Sequence, residues 1–265
     1  MTDRRLLPDP DRITQRRAAR VIKPLADLCR IPEGPRDRQL LWGESVTALG
    51  QEAGWTYIQA AKDGYCGYLP AGSLEEDGED SAATHRVAAP ATHAYQHASF
   101  KSPDRVALSF GSLLHVATTE GKFAVTDAGH VPLCHLAPVT QHETDPVAVA
   151  ALFLGTPYLW GGNSCWGIDC SGLVQAALTA CGIPCPGDSD QQATLGAPAS
   201  GPFQRNDLLF WKGHVAMVSD AQTLIHANAH SMSVAFEGIA AALTRIEAGG
   251  DGPMTAHRRL AVSSG

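Results

Sequence analysis

A cysteine at the start of a helix, followed downstream by two histidines on one hairpin, brings together the side chains that nucleophilic acyl chemistry requires. Cys170 lies in the stretch Gly167-Ile168-Asp169-Cys170-Ser171-Gly172-Leu173. From Ser171 onward, Leu173, Val174, Ala177, Leu178 and Cys181 recur at helical spacing, and Gly182 with Pro184 supplies a stop. The spacing therefore predicts Cys170 in the first turn of a helix. Unpaired backbone N–H groups and the positive end of the helix dipole favour a thiolate there, and the thiolate is the nucleophilic form. Position alone also fits a small buried apolar side chain, the commoner fate of a free thiol.

The histidines weigh against that bland reading, because a thiol nucleophile needs a base and the base needs a group to orient it. His214 opens the run His214-Val215-Ala216-Met217-Val218, His226 closes Thr223-Leu224-Ile225-His226-Ala227, and Ser219-Asp220-Ala221-Gln222 lies between as turn residues. This reads as an antiparallel hairpin. Pairing symmetric about Asp220 would set Val218 opposite Gln222, Ala216 opposite Leu224 and His214 opposite His226. The two imidazoles would then share one face with Cβ atoms about 5 Å apart. A slip of one residue would separate them.

With 265 residues, 44% of them hydrophobic, the chain can build two or three domains with real cores. A formal charge of −7 argues against a nucleic-acid footprint. Arg4, Arg5, Arg12, Arg16, Arg17 and Arg20 are interleaved with Asp3, Asp9 and Asp11, as in a solvated arm. Residues 1–10 carry no apolar core of signal-peptide length, so a cytoplasmic location is the expectation. The most apolar run, residues 147–154, sits between Asp145-Pro146 and Gly155. It reads as a short capped helix, far below the ~20 residues of a membrane span. Seven cysteines, an odd number, are expected to be reduced thiols. Cys165, Cys170, Cys181 and Cys185 form no C-x-x-C pair, so neither a metal nor a cofactor is expected.

The elements that must position these groups fall into an α+β chain. Residues 21–74 read as short strands broken by Gly50 to Gly54 and by Lys62-Asp63-Gly64: an extended start through Leu28 and Ile31, then 44–49, 55–60 and 65–69. This is the pattern of a small β-barrel. Acidic residues 75–83 read as a linker. A second β unit, residues 86–138, has candidate strands at 107–108, 113–118, 122–126 and 129–132. Its Phe110-Gly111-Ser112 echoes Trp42-Gly43-Glu44, and its Gly129-His130-Val131-Pro132 echoes Gly67-Tyr68-Leu69-Pro70, which suggests a degenerate tandem repeat. His93, His97, His115, His130 and His135 in this unit read as surface or packing residues. From about Gln141 the order becomes helix, loop, helix, then antiparallel strands.

Thr156-Pro157-Tyr158, Trp160-Gly161-Gly162, Asp169-Cys170-Ser171-Gly172-Leu173, Gly213-His214-Val215 and His226, in that order, resemble the NlpC/p60-type papain-like cysteine peptidases that cut bacterial cell-wall peptides. The resemblance covers residues 143–262. The preceding chain is similar to the paired bacterial SH3-like domains of the subgroup that hydrolyses the γ-D-glutamyl-L-diamino acid bond in murein peptides with a free N-terminal L-alanine. The implied organisation is an arm and first SH3-like barrel at 1–76, a second barrel at 84–139 and a papain-like domain at 143–265. It implies Cys170 as nucleophile, His214 as general base, His226 as the orienting third member, and Tyr158 with the Cys170 N–H as oxyanion donors. It further implies that Glu44, Tyr65 and Asp169 recognise the substrate's amine, and that Ser171, Asp188 and Ser189 line the peptide side. Each has a plainer reading: Glu44 as a strand-end charge, Tyr65 as a barrel-core aromatic, Asp169 as a helix cap and Asp188 as a turn former.

The implied activity is release of L-Ala-D-Glu in murein peptide recycling. The first SH3-like domain would close one end of the groove, so that only a free N-terminus fits. A small murein peptide is the expected partner, without nucleic acid or membrane, and the expected state is a monomer or weak oligomer. Competing readings are a non-catalytic wall-peptide binder, a thiol acyltransferase or thioesterase on the same scaffold, and an amidase-type hydrolase of intact sacculus.

Overall fold

A computed structural model describes residues 3–76, 78 and 82–261. The chain divides into two compact units, Met1–Gln141 and His142–Gly265. No helix of the described residues is long and apolar enough to cross a membrane.

The first half of the N-terminal unit is built from strands β1 (Arg17–Val21), β2 (Leu25–Cys29), β3 (Arg36–Leu41), β4 (Ser45–Glu52), β5 (Trp55–Ala60), β6 (Cys66–Pro70) and β7 (Leu74–Glu76). They form one antiparallel sheet in the order β3-β2-β6-β5-β4-β1-β7. Val21, Leu28, Leu40, Val46, Ile58 and Leu69 alternate inward to make its core. Two expectations change. β3 is not among the expected strands, and its charges are paired at the sheet edge, Arg36 with Asp27, and Arg4 and Arg30 with Asp37. The start of the expected linker is strand β7, because Glu75 and Glu76 meet Arg20 and Arg17 of β1. Within the rest of that linker, residues 77 and 79–81 lie outside the described residues.

The N-terminal arm is docked rather than free in solvent. The Tyr57 hydroxyl accepts from Asp9 N at 3.0 Å, Arg5 O accepts from Cys66 N at 2.6 Å, and the Arg12 guanidinium lies over the rings of Tyr57 and Tyr68. A run of arginines reads as solvated in sequence, but guanidinium groups stack well on aromatic faces.

The second half of this unit carries β8 (His85–Val87), β9 (Ala91–Tyr95), β10 (Asp104–Ser109), β11 (Leu113–Leu114), β12 (Val116–Glu120), β13 (Phe123–Thr126), β14 (Gly129–Pro132) and β15 (Leu136–Pro138). They form sheets ordered β10-β9-β14-β13-β12 and β11-β8-β15 around Val87, Ala94, Leu108, Leu114 and Val131. The repeat is visible in the backbone. Pro70 and Pro132 each end a strand and enter one 3-10 turn, Ala71–Ser73 and Leu133–His135, which leads into a short strand. The two glycine turns also touch, since Leu113 N donates to Trp42 O at 2.8 Å.

In the C-terminal unit Pro146 opens α1 (Pro146–Ala151), capped by the Asp145 carboxylate. A two-stranded ribbon, β16 (Asn163–Ser164) and β17 (Gly167–Ile168), leads into α2 (Cys170–Ala180), followed by α3 (Ser189–Gln192). The remaining elements are β18 (Ala197–Pro198), β19 (Leu208–Trp211), β20 (His214–Val218), β21 (Thr223–Asn228), β22 (Ser233–Gly238), α4 (Ile239–Ile246) and β23 (Ala256–Arg259). The sheet order is β18-β23-β19-β20-β21-β22. Leu209, Ala216, Val218 and Leu224 pack against Ile239, Ala242 and Ile246 of α4, while α2 packs against β20 and β21. Helices and an antiparallel sheet thus share one core, the α+β class.

Candidate active site

Cys170 is the first residue of α2, and Asp169 caps the helix. Asp169 Oδ1 accepts from Gly172 N at 2.6 Å and Ser171 Oγ at 3.0 Å, and Oδ2 accepts from Gly161 N at 2.9 Å. One carboxylate therefore fixes both the helix start and the Gly161-Gly162 loop. Gly172 permits their close approach: a Cβ there would sit 2.6 Å from the Gly162 carbonyl oxygen.

The Cys170 thiol is buried, with Sγ 4.0 Å from Gly213 O at the entrance to β20. Burial and then the Asp169 charge push it up to about 12, against the opposing pull of the Val215, Ser171 and Cys170 N–H groups. This upward push runs against the stabilisation of a thiolate expected from the helix dipole. A helix dipole is worth about 0.3–1 kcal/mol, whereas raising a thiol from 9 to about 12 corresponds to about 4 kcal/mol, so desolvation wins.

His214 Nε2 lies 2.9 Å from His226 Nδ1, with ring centroids 5.2 Å apart. Their strands are paired differently from the expected register. Met217 faces Ile225 and Val218 faces Leu224, a shift of two residues. The cause is the turn: Asp220 Oδ1 accepts from Gln222 N at 2.9 Å, and the N–H groups of Ser219 and Asp220 both donate to Thr223 O. That local structure removes Gln222 from the ladder. Because side chains alternate with period two, the shift leaves both histidines on one face, meeting diagonally instead of directly opposed. Burial drives both imidazoles down, His214 to about 3 and His226 to about 4.

Two residues beyond the histidines were not singled out from sequence. Glu237 of β22 sets Oε2 3.0 Å from His226 Nε2, approaching off the N–H axis, so the contact is more electrostatic than directional. Arg245 of α4 grips the same carboxylate with two bonds, Nε to Oε1 at 2.9 Å and Nη2 to Oε2 at 2.7 Å. The available signal was an inversion in β22, where Phe236 is exposed and its charged neighbour Glu237 is half-buried.

Tyr158 belongs to the same cluster. Burial, followed by the nearby Cys170 and Asp169, pushes its phenol well above the usual range, so its hydroxyl remains a donor. Asp188 caps α3 in a capping box with Gln191, and Ser189 is the first residue of that helix. Gln192 Nε2 donates to Ser171 O at 2.9 Å and Pro186 O at 3.0 Å, which ties α3 to the start of α2. Glu44 and Tyr65 belong to the N-terminal unit. Glu44 is buried and pairs with Lys62 Nζ at 2.7 Å through Oε1, while its Oε2 has no partner among the described residues. Tyr65 is 2% exposed within the first core, with Arg38 against its ring. Their two turns are neighbours, Ala61 N donating to Ser45 O at 3.0 Å.

Residues 155–244, which carry all of these groups of the C-terminal unit except Arg245, match the model of the NlpC/P60 family, and residues 28–74 match that of the bacterial dipeptidyl-peptidase Sh3 domain. Over 214 residues the chain is 30% identical to the γ-D-glutamyl-L-lysine dipeptidyl-peptidase of Bacillus subtilis, covering 71% of each chain. The chain belongs to the NlpC/P60 family. It is also 27% identical over 218 residues to dipeptidyl-peptidase 6 of Lysinibacillus sphaericus, covering 72% of this chain and 79% of that one. Its fold is that of a crystallised NlpC/P60 family protein from Bacillus cereus, with a TM-score of 0.78 at 20% identity, covering 91% of this chain and 99% of that one. As an NlpC/P60 protein it is a hydrolase of the peptidase class, with an SH3-like domain preceding the papain-like fold.

Proposed function

We propose that this NlpC/P60 peptidase hydrolyses the bond between γ-D-glutamate and an L-diamino acid, diaminopimelate or lysine, in murein peptides with a free N-terminal L-alanine. The product is L-Ala-D-Glu, as in recycling of cell-wall peptides. The observations that carry the reading are the His214–His226 contact at 2.9 Å and the helix-start thiol 4.0 Å from the carbonyl of Gly213, the residue before His214, in a chain similar to the Bacillus subtilis γ-D-glutamyl-L-lysine dipeptidyl-peptidase.

In this reading His214 bonds His226 through Nε2, which leaves Nδ1 for the thiol proton. As Cys170 Sγ attacks the γ-glutamyl carbonyl, its proton passes to His214. Burial disfavours the charge on both groups, so in this reading proton transfer to His214 accompanies attack as a general-base step. The oxyanion forms between the Cys170 N–H and the Tyr158 hydroxyl. His214 then protonates the leaving amine, and water resolves the thioester. Ser171, Asp188 and Ser189 are assigned to the peptide side. Asp169, Glu44 and Tyr65 are proposed to take part in recognising the substrate's ammonium. Glu44 is suited to this because it already holds one ammonium, that of Lys62, and keeps a second oxygen unpartnered among the described residues.

The test is mass-spectrometric digestion of L-Ala-γ-D-Glu-meso-diaminopimelate beside its N-acetylated form, with Cys170→Ala as control. The expected result is release of L-Ala-D-Glu from the free-amine peptide alone, abolished in the variant. Equal cleavage of both peptides overturns the amine assignment, and cleavage of neither overturns the reading.

A further inference from the structure

We infer that Glu237, clamped by Arg245, is a positioning residue that fixes which nitrogen of each histidine carries its proton, and so leaves His214 Nδ1 free to act as the base. This rests on the proposed role of Cys170 and His214 and extends it two residues outward.

Arg245 supplies N–H donors to both oxygens of Glu237, at 2.9 and 2.7 Å. A carboxylate held by such a fork is an acceptor with no proton of its own. The Arg245 bonds, and the smaller contribution of His226, hold Glu237 below the ordinary carboxylate range. His226 Nε2 lies 3.0 Å from Glu237 Oε2, off the N–H axis, and the negative charge of that carboxylate favours the hydrogen on this nitrogen. In a neutral imidazole the other nitrogen is then a lone pair. His226 Nδ1 must accept, and the group 2.9 Å from it, His214 Nε2, must donate. His214 in turn keeps its lone pair on Nδ1. Three contacts thus set a single tautomer across two rings. Without the acidic end, His226 is free to carry its proton on Nδ1 and donate to His214 Nε2, which puts the His214 proton on Nδ1 and blocks removal of the thiol proton.

The placement follows from the sheet. His226 faces Ala235 across β21 and β22, so Glu237 is its diagonal neighbour, as His214 is on the other side. The charged and titratable groups around His226 are His214 on β20, His230 after β21, Glu237 on β22 and Arg245 on α4. Only Glu237 among these is an acid.

The experiment compares the full chain with Glu237→Gln and Arg245→Lys, using ¹⁵N-histidine NMR of the free protein, kcat and KM on L-Ala-γ-D-Glu-meso-diaminopimelate, and thermal unfolding as a check on the fold. In the parent protein the Nε2 atoms of His214 and His226 are both expected to give protonated, pyrrole-type ¹⁵N signals. Glutamine keeps the shape but offers an NH2 as well as an oxygen. Glu237→Gln is expected to move both rings toward the Nδ1–H form. It should lower kcat by on the order of 10²-fold or more, the scale on which a wrong tautomer disables a base, with KM little changed. Arg245→Lys, which keeps the charge and loses the fork, is expected to fall between. A parent protein with Nδ1–H on His226, or a folded Glu237→Gln with unchanged tautomers or unchanged kcat, overturns the inference. The NMR readout needs no turnover. Loss of the proposed substrate assignment would therefore show as an inactive parent with the Nε2–H signals still present.

Discussion

Replacing Asp169 by alanine tests whether one carboxylate holds the site together. In the folded protein it satisfies three donors: Gly172 N at 2.6 Å, Gly161 N at 2.9 Å and Ser171 Oγ at 3.0 Å. If it were only an N-cap, alanine would cost about 1 kcal/mol. Asp169, Ser171, Gly161 and Gly172 are all buried, however, so the two backbone N–H groups would be left without an acceptor. Each such group costs about 1–3 kcal/mol, while the Ser171 hydroxyl can rotate to relieve itself. We expect a loss of about 3 kcal/mol, in the lower half of the sum of about 2–6 kcal/mol, because water entering the vacated space replaces part of what is lost.

Asparagine gives the internal control. Its oxygen keeps Gly172 N and Ser171 Oγ, but its NH2 faces the Gly161 N–H, so about 1 kcal/mol is expected. The assay is urea unfolding followed by tryptophan fluorescence, with Trp160, Trp166 and Trp211 reporting on the C-terminal unit. A loss in the alanine variant of only about 1 kcal/mol would reduce Asp169 to a cap and refute the coupling of the Gly161 loop to α2. A larger loss in the asparagine variant would refute the donor count itself.

Three further outcomes are expected. Alkylation of Cys170 by iodoacetamide in the free protein should accelerate about tenfold per pH unit between pH 6 and 9, because burial keeps the thiol neutral; a plateau from pH 5 to 8 would mean a standing thiolate–imidazolium pair. Unfolding free energy should decline as pH falls from 6.5 toward 4, since the unfolded chain binds protons that the native His214 and His226, lowered to about 3 and about 4, refuse. The slope approaches about 1.4 kcal/mol per pH unit for each histidine, whereas Asp145, Asp207 and Glu237, also lowered from ordinary values of 3.8, 3.8 and 4.5, add their own loss mainly at the acid end of that window and below it; a flat profile from pH 6 to 4.5 in urea titrations contradicts the burial argument. Gly172→Ala should destabilise by about 1–3 kcal/mol despite the ~1 kcal/mol helix preference for alanine, because the new Cβ meets the Gly162 carbonyl oxygen at 2.6 Å; thermal unfolding at or above the parent temperature would contradict it.

What the sequence revealed of this site depended on how local its causes are. Cys170 at a helix start was legible because Asp169, Gly172 and the Leu173-Val174-Ala177-Leu178 spacing all act within one or two turns. The histidine pair was legible by face and not by register. Parity survives a two-residue shift, but the Asp220 carboxylate's bond to Gln222 N, which set the register, competes locally with the ladder in a way that no pattern displays. The docked arm was missed because Arg12 finds its aromatic partners 45 and 56 residues away. The upward pull of burial on the Cys170 thiol was not legible for a related reason: the dipole belongs to the helix and can be read from it, whereas desolvation comes from everything packed around the thiol.

Glu237 is the sharpest instance of that limit. Its register partner is Leu224, the residue it orients is two positions further along β21, and its clamp arrives on the next helix. A glutamate beside an exposed phenylalanine looks like a strand that has lost its amphipathic order. The inversion makes sense only once His226 occupies the inner face, because a fully buried imidazole with two nitrogens to satisfy needs one acidic neighbour to decide between them. The place where the strand pattern fails is therefore the place where the proton order of the whole relay is set.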